Sequence, residues 1–369
     1  MEAAKVVKLT GIEEGYEGDI TVEYVQKGWR YSVKAKHEVL LSAGSWGNPK
    51  IAMLSGIGDP EVLSNANIDT VIDLPGVGKN FKDHGVLWLT AMLNNIAPVD
   101  TTTTTDTTTT ATDATIDIGA LTGVNQPLPA LLAGFNTINM FFKSNETALE
   151  YPDMELLSGV SPAGPTSAFV AARVYQNKLS SGTMGGTLKL RSDDPYEDMD
   201  VTRNWYADSE SITPMLLALK KVIGMMQSMG AMLLSPNQFA VDLESDEELL
   251  AYIKENVVSE MHFMGSMKMG RKDDNMAVVD STLRVIGSNG RLRVADTSIF
   301  PTDMRGHPMA TAMGVGMKAA DLIATEYLAM NSEDMAARDG STSSTNSVAF
   351  AMNYVFASMF AAALTAVMV

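Results

Sequence analysis

Apolar and polar residues alternate over Val22–Tyr24 and again over Arg30–Lys34, with Gly28 between, and this spacing predicts a β-hairpin. Glu38–Ser42 (EVLLS) reads as a short buried strand. The loop Ala43-Gly44-Ser45-Trp46-Gly47 follows it. Asn48-Pro49 then offers an N-cap and a first helical position for a helix through Leu54, which Gly56 stops. Further on, Val86–Met92, Thr137–Phe142 (TINMFF) and Thr187–Arg191 (TLKLR) read as strands separated by turns, which suits an antiparallel sheet. Ile212–Met229 and Asp246–Val258 carry amphipathic helical spacing, the second with acids in its first turn. Short strands are expected at Val278–Val285 and Arg291–Val294 around the Gly287–Gly290 turn. Pro308 can open a helix to about Met330.

Length and charge narrow the picture. A chain of 369 residues suggests two or three domains with a sizeable core. Apolar residues make up 46% and charged residues 19%, a globular composition. The net charge of −17 leaves no basic stripe to neutralise phosphates, so nucleic acid is not an expected partner. The absence of cysteine excludes disulfides, thiolate nucleophiles and thiolate metal sites. Imidazole chemistry must come from His37, His84, His262 and His307. Thr accounts for 11 of the 15 residues of Thr101–Thr115, read as a flexible loop on composition. Residues 331–347 read as a linker, small and polar over Gly340–Ser347. The uncharged tail Val348–Val369 reads as a membrane-directed apolar helix, either an anchor or the removable tail of a GPI signal. Met1–Tyr16 has no signal-peptide pattern, and Asn145-Glu146-Thr147 is a glycosylation sequon that matters only in a secreted chain.

There is no GxSxG, HExxH, P-loop or EF-hand loop, and the Gly76-Val77-Gly78 cluster is a weak nucleotide signal by itself. A joint pattern is more specific. Glu38–Gly58 (EVLLSAGSWGNPKIAMLSGIG), Leu74–His84 (LPGVGKNFKDH), Met261–Gly270 (MHFMGSMKMG), Val278–Pro301 (VVDSTLRVIGSNGRLRVADTSIFP) and His307–Ile323 (HPMATAMGVGMKAADLI) resemble, in order, five segments of the glucose–methanol–choline (GMC) oxidoreductases. Asp153–Leu157 (DMELL) and Val201–Tyr206 are compatible with that family's middle region.

The resemblance implies a mixed α/β and α+β fold. Residues 1–84 would form part of an FAD-binding, Rossmann-like domain, 85–255 a substrate domain on an antiparallel sheet, and 256–330 a C-terminal segment returning to the first domain. It also implies FAD as cofactor, a small-molecule alcohol as substrate, and oxygen or another electron acceptor. His262 matches the family's base and His307 the second active-site position. Histidine suits both tasks, since a base near neutral pKa and a hydrogen-bonding partner for the same oxygen are needed. Ala43, Gly44, Asp296, Gly306 and His307 match cofactor-contacting positions. His84 falls in the segment covering the flavin, with a structural hydrogen bond as open as a catalytic role, and His37 reads as a surface residue. Ser281, Arg284 and Arg293 read as structural. Family members carry a GxGxxG βαβ unit that holds the ADP pyrophosphate, ahead of everything matched here. The expectation is therefore a fragment of a longer enzyme that alone binds FAD poorly. Two other readings are a flavin-containing non-redox relative of the hydroxynitrile lyase kind and an inactive membrane-anchored remnant.

Overall fold

The computed structural model describes residues 4–94, 138–145, 150–164, 167–176, 185–207, 209–235 and 241–339. The expectations for Thr101–Thr115, Gly340–Ser347 and the tail Val348–Val369 lie outside these residues, and no helix among the described residues is long and apolar enough to cross a membrane.

The chain opens with β1 (Lys5–Thr10), β2 (Ile20–Gln26) and β3 (Trp29–Ala35), a three-stranded antiparallel sheet in the order β1-β2-β3. The expected hairpin is β2–β3, with Gln26 opposite Trp29. Lys27 (φ +54) and Gly28 (φ +78) are both left-handed, the geometry a two-residue hairpin turn needs. There follow β4 (Val39–Leu41), α1 (Gly44–Leu54), β5 (Ile57–Gly58), α2 (Pro60–Asn65) and β6 (Ile72–Asp73), with β5 and β6 paired in parallel.

Helix α1 starts at Gly44, earlier than the Asn48-Pro49 pair suggests, and Pro49 lies inside it. Proline has no N–H for the carbonyl four residues back, which is that of Ser45. The buried Ser266 hydroxyl donates to that carbonyl at 2.6 Å and replaces the missing bond.

The middle of the chain contains an antiparallel sheet that takes in the expected run Val86–Met92 and Ile138–Phe142 of the next, but not Thr187–Arg191. It contains β7 (Gly85–Asn94), β8 (Ile138–Phe142), β9 (Met154–Gly164) and β10 (Ser167–Gln176). The pair β11 (Thr187–Lys189) and β12 (Asp200–Thr202) is separate from it. Next come α3 (Ser209–Ser228), β13 (Met232–Ser235), α4 (Asp246–Asn256) and β14 (Val258–Ser259). The sheet order is β13-β7-β10-β9-β8, with β14 also on β7. Helices α3 and α4 cover it through Met215, Leu219, Val222, Leu249 and Ile253, which meet Leu87, Leu89 and Val174 in one core.

A second core gathers Leu9, Ile20, Leu41, Met53, Phe81, Val278, Leu292 and Ile299. Leu188 and Met199 join this second core, so the β11–β12 stretch packs with the first segment of the chain and not with the sheet that precedes it. Strand β15 (Leu292–Val294) pairs in parallel with β4. The run Val278–Val285 forms isolated bridges instead of a strand. Its cause is local: Asp280 Oδ1 accepts from the N–H groups of Thr282 and Arg284, and Leu283 turns at φ +67.

After a single 3₁₀ turn at Thr297–Ile299, α5 runs over Met309–Asp339, so residues 331–339 are helical where a linker was expected. Val315, Ala319 and Leu322 face the second core. Met309, Met313 and Met317 form an exposed stripe on another face. Arg293, 1% exposed, binds Glu38 (2.8 Å) from the strand layer and Glu326 from α5, which pins the helix to the β4–β15 pair.

Candidate active site

The segments Lys82–His84 and His262–Met264 lie side by side. Lys82 and Met264 exchange both backbone hydrogen bonds at 2.9 Å. Asp83 is buried, and its two oxygens reach across the gap. Oδ1 accepts from the backbone N–H of His262 (3.0 Å) and Oδ2 from the Ser259 hydroxyl (2.5 Å). Burial pushes the Asp83 carboxyl up to about 6, against the pull of those hydrogen bonds. Met261 bends the chain at φ +59, an uncommon conformation for a residue with a side chain, and so turns His262 inward.

Three of the four histidines converge here. His84 Nδ1 is 3.0 Å from His262 Nδ1, with the rings nearly perpendicular. His262 and His307 meet edge to face, centroids 4.6 Å apart. His84 is buried, and its Nε2 lies 2.9 Å from the Met304 carbonyl. Burial lowers the His84 pKa. Burial, and then repulsion from His84 and His307, takes His262 down to about 3. His262 is therefore neutral at pH 7, the state in which a ring nitrogen can accept a proton. His307 comes from the loop before α5, and its Nε2 donates to Glu155 Oε1 at 3.2 Å. Glu155 is fully buried in β9. Gly306 (φ +79) makes the turn that delivers His307. Phe141 and Tyr151, both exposed, flank it, with the Arg305 guanidinium over the Tyr151 ring.

The expected cofactor positions are tied to this cluster. Gly44 N–H donates to Asp296 Oδ2 at 2.7 Å, and Asn48 donates to the same oxygen at 2.8 Å. Asp296 Oδ1 accepts from the backbone and hydroxyl of Ser298. Both carboxylate oxygens of Asp296 are thus used to cap α1 and close the 3₁₀ turn. Ser45 and Thr297 both donate to the Phe263 carbonyl, next to His262. Ala43 is exposed, and Gly44 (φ +74) faces open space, where an added Cβ would touch nothing within 4 Å. An open glycine turn beside two accessible imidazoles fits a flat ring system laid against the backbone.

His37 stays at the surface, edge to face on Tyr327. Sequence reasoning did not single out Glu155 or Asp83. Glu155 had a signal, as the one charged residue of the run Met154–Gly164, since a buried acid is retained only with a partner. No group of acids and histidines among the described residues is arranged to hold a metal ion.

A mixed fold of two cores with a paired-imidazole site where they meet is the class of molecule these features define. Two family models, both described as GMC oxidoreductase, match residues 5–86 and 183–316, together more than half of the chain. The chain belongs to the GMC oxidoreductase family. It is 31% identical over 336 residues to an oxygen-dependent choline dehydrogenase of Rhizobium rhizogenes, covering 87% of this chain and 56% of that protein. It is 30% identical over 324 residues to dehydrogenase pkfF of Emericella nidulans, covering 80% and 50%. The fold superposes on a formate oxidase of Aspergillus oryzae with a TM-score of 0.68 at 21% identity, over 88% of this chain and 60% of that one. The chain spans about half the length of the curated relatives it matches.

Proposed function

We propose that these residues oxidise the carbinol carbon of a small alcohol, with FAD as the redox partner. The observation that carries the reading is the pairing of His262 with His307, each ring held from behind by its own partner, His84 and Glu155. Ala43 and Gly44 would lie against the isoalloxazine, and Gly306 and His307 would border it, while Asp296 holds the glycine turn in shape. When bound, the flavin supplies the acceptor for the hydride.

The protein residues handle the proton and the oxygen. His262 is neutral and takes the hydroxyl proton. His307 orients the same oxygen, and the buried Glu155 carboxylate behind it accepts from Nε2 and fixes the ring. The substrate approaches past Phe141 and Tyr151, which favours an alcohol with an apolar or aromatic portion. Family membership and the likeness to a choline dehydrogenase, whose named substrate is an alcohol, support the same class.

The test is anaerobic mixing of an alcohol with flavin-loaded protein containing these residues. Bleaching of the flavin absorbance supports alcohol oxidation. Turnover of a cyanohydrin with no bleaching would indicate the lyase-type, non-redox reading.

A further inference from the structure

We propose that His84 is a positioning residue that fixes His262 as its Nδ1–H tautomer, leaving the Nε2 lone pair to receive the substrate proton. The inference deepens the reading of His262 as the base and rests on it.

The argument is a chain of donors and acceptors. The Met304 carbonyl can only accept, so His84 Nε2 at 2.9 Å must carry a hydrogen. The other tautomer of His84 would set two lone pairs against each other at that distance. A neutral His84 with Nε2–H has a bare Nδ1. That atom is 3.0 Å from His262 Nδ1, so His262 Nδ1 must be the donor. Its Nε2 is then the basic atom. The alternative, a cationic His84 donating from both nitrogens, would place a charge on a ring that is almost wholly buried, and burial lowers its pKa.

The backbone supports this assignment. Asp83 and His84 are adjacent in sequence and act on one residue: the carboxylate holds the His262 main-chain N–H and the imidazole holds its ring. The two-way bond between Lys82 and Met264 keeps the strands in register. The ring therefore has little freedom to flip. The same contact helps chemistry begin from a weak base. As His262 gains a proton at Nε2, its Nδ1–H becomes a charge-assisted donor to His84 and the bond tightens.

The test reads tautomers directly and needs no turnover. With only four histidines in the chain, ¹⁵N-histidine labelling gives four ring systems, assigned by single substitutions. Long-range nitrogen–proton correlations at neutral pH should show Nδ1–H at His262 and Nε2–H at His84. His84→Gln should keep the His262 tautomer, because a carboxamide can donate to Met304 and accept from His262. His84→Phe should release it into the mixture of both forms that an unheld imidazole adopts. If the phenyl ring is not accommodated, His84→Ala gives the same comparison. In flavin-loaded protein, flavin reduction should be slowed in the Phe or Ala variant and largely rescued in His84→Gln. Nε2–H at His262 in the parent chain, or an unchanged Nδ1–H form after His84→Phe or His84→Ala, would overturn the proposal. Normal flavin reduction by His262→Ala would instead remove the base reading, so the two failures are distinguishable.

Discussion

His262 and Asp83 touch each other, yet their protonation equilibria act on stability in opposite directions. The folded-state pKa of His262 is about 3, below the ordinary histidine value of 6.5. Between those values the unfolded chain binds more protons. The stability from neutral His262 is therefore complete above 6.5 and is lost as pH falls toward 3. Asp83 is raised from 3.8 to about 6, so its contribution is complete below 3.8 and is lost as pH rises through 6. Comparing the parent with His262→Gln isolates the histidine. Urea midpoints should fall more steeply on acidification in the parent than in the variant, and parallel curves would contradict the burial argument. At the neighbouring ring, His307→Asn should reduce flavin more slowly than the parent but faster than His307→Ala, because an amide can still hydrogen-bond the substrate oxygen. Equal rates for Asn and Ala would show that hydrogen bonding there contributes nothing.

At the level of elements, Pro49 and Ser266 lie in different segments but share one carbonyl. Ser266→Ala strands the Ser45 carbonyl inside the protein and should cost about 1–3 kcal/mol. In a Pro49→Ala background the N–H of residue 49 can reach Ser45 from within α1. The Ser266→Ala cost should then shrink, and a double-mutant cycle by chemical denaturation reads the coupling. Additive effects would contradict the compensation. The same pair marks a limit of sequence reading. Asn48-Pro49 is a reasonable helix start when only local preferences are visible, and a serine more than two hundred residues away is what allows the helix to begin earlier. The β2–β3 hairpin, strands β7 and β8 and helices α3 and α4 were legible because their signals are periodic and local. The run Val278–Val285 was not, because Asp280 folds it back through bonds to its own backbone. Motif resemblance singled out His262 and His307, and the structure brings these two rings together. Their approach to His84 and Glu155 was not legible, since it depends on how β7, β9 and the loop before α5 come together.

Across the whole molecule, the two cores meet at the segment from Lys82 to Gly85, which leaves one core and enters β7 of the other. The site occupies that junction, so its geometry depends on α5 staying in place. Arg293 secures α5 through Glu326 and pairs with Oε2 of the largely buried Glu38, whose Oε1 has no hydrogen-bond partner among the described residues. Arg293→Met should destabilise the fold by about 3–5 kcal/mol, because it leaves Glu38 without its cation. Little change in the denaturation midpoint would show that α5 is held by packing alone. The net charge of −17 and the absence of a GxGxxG turn from the sequence bear on cofactor affinity. This polypeptide by itself should take up FAD weakly, since nothing obvious offsets the pyrophosphate charge. A purified chain with a stoichiometric flavin spectrum would contradict that expectation.

The central claim is that His262 is the base. It is tested most directly by anaerobic single-turnover flavin reduction in protein loaded with FAD, with a strand–GxGxxG–helix unit supplied where loading requires it. Loss of a positioned general base costs about 10²–10⁴-fold. His262→Ala should slow flavin reduction by that range while flavin stays bound, and His37→Ala should leave the rate unchanged. Reduction of the His262→Ala flavin at the parental rate would contradict the account.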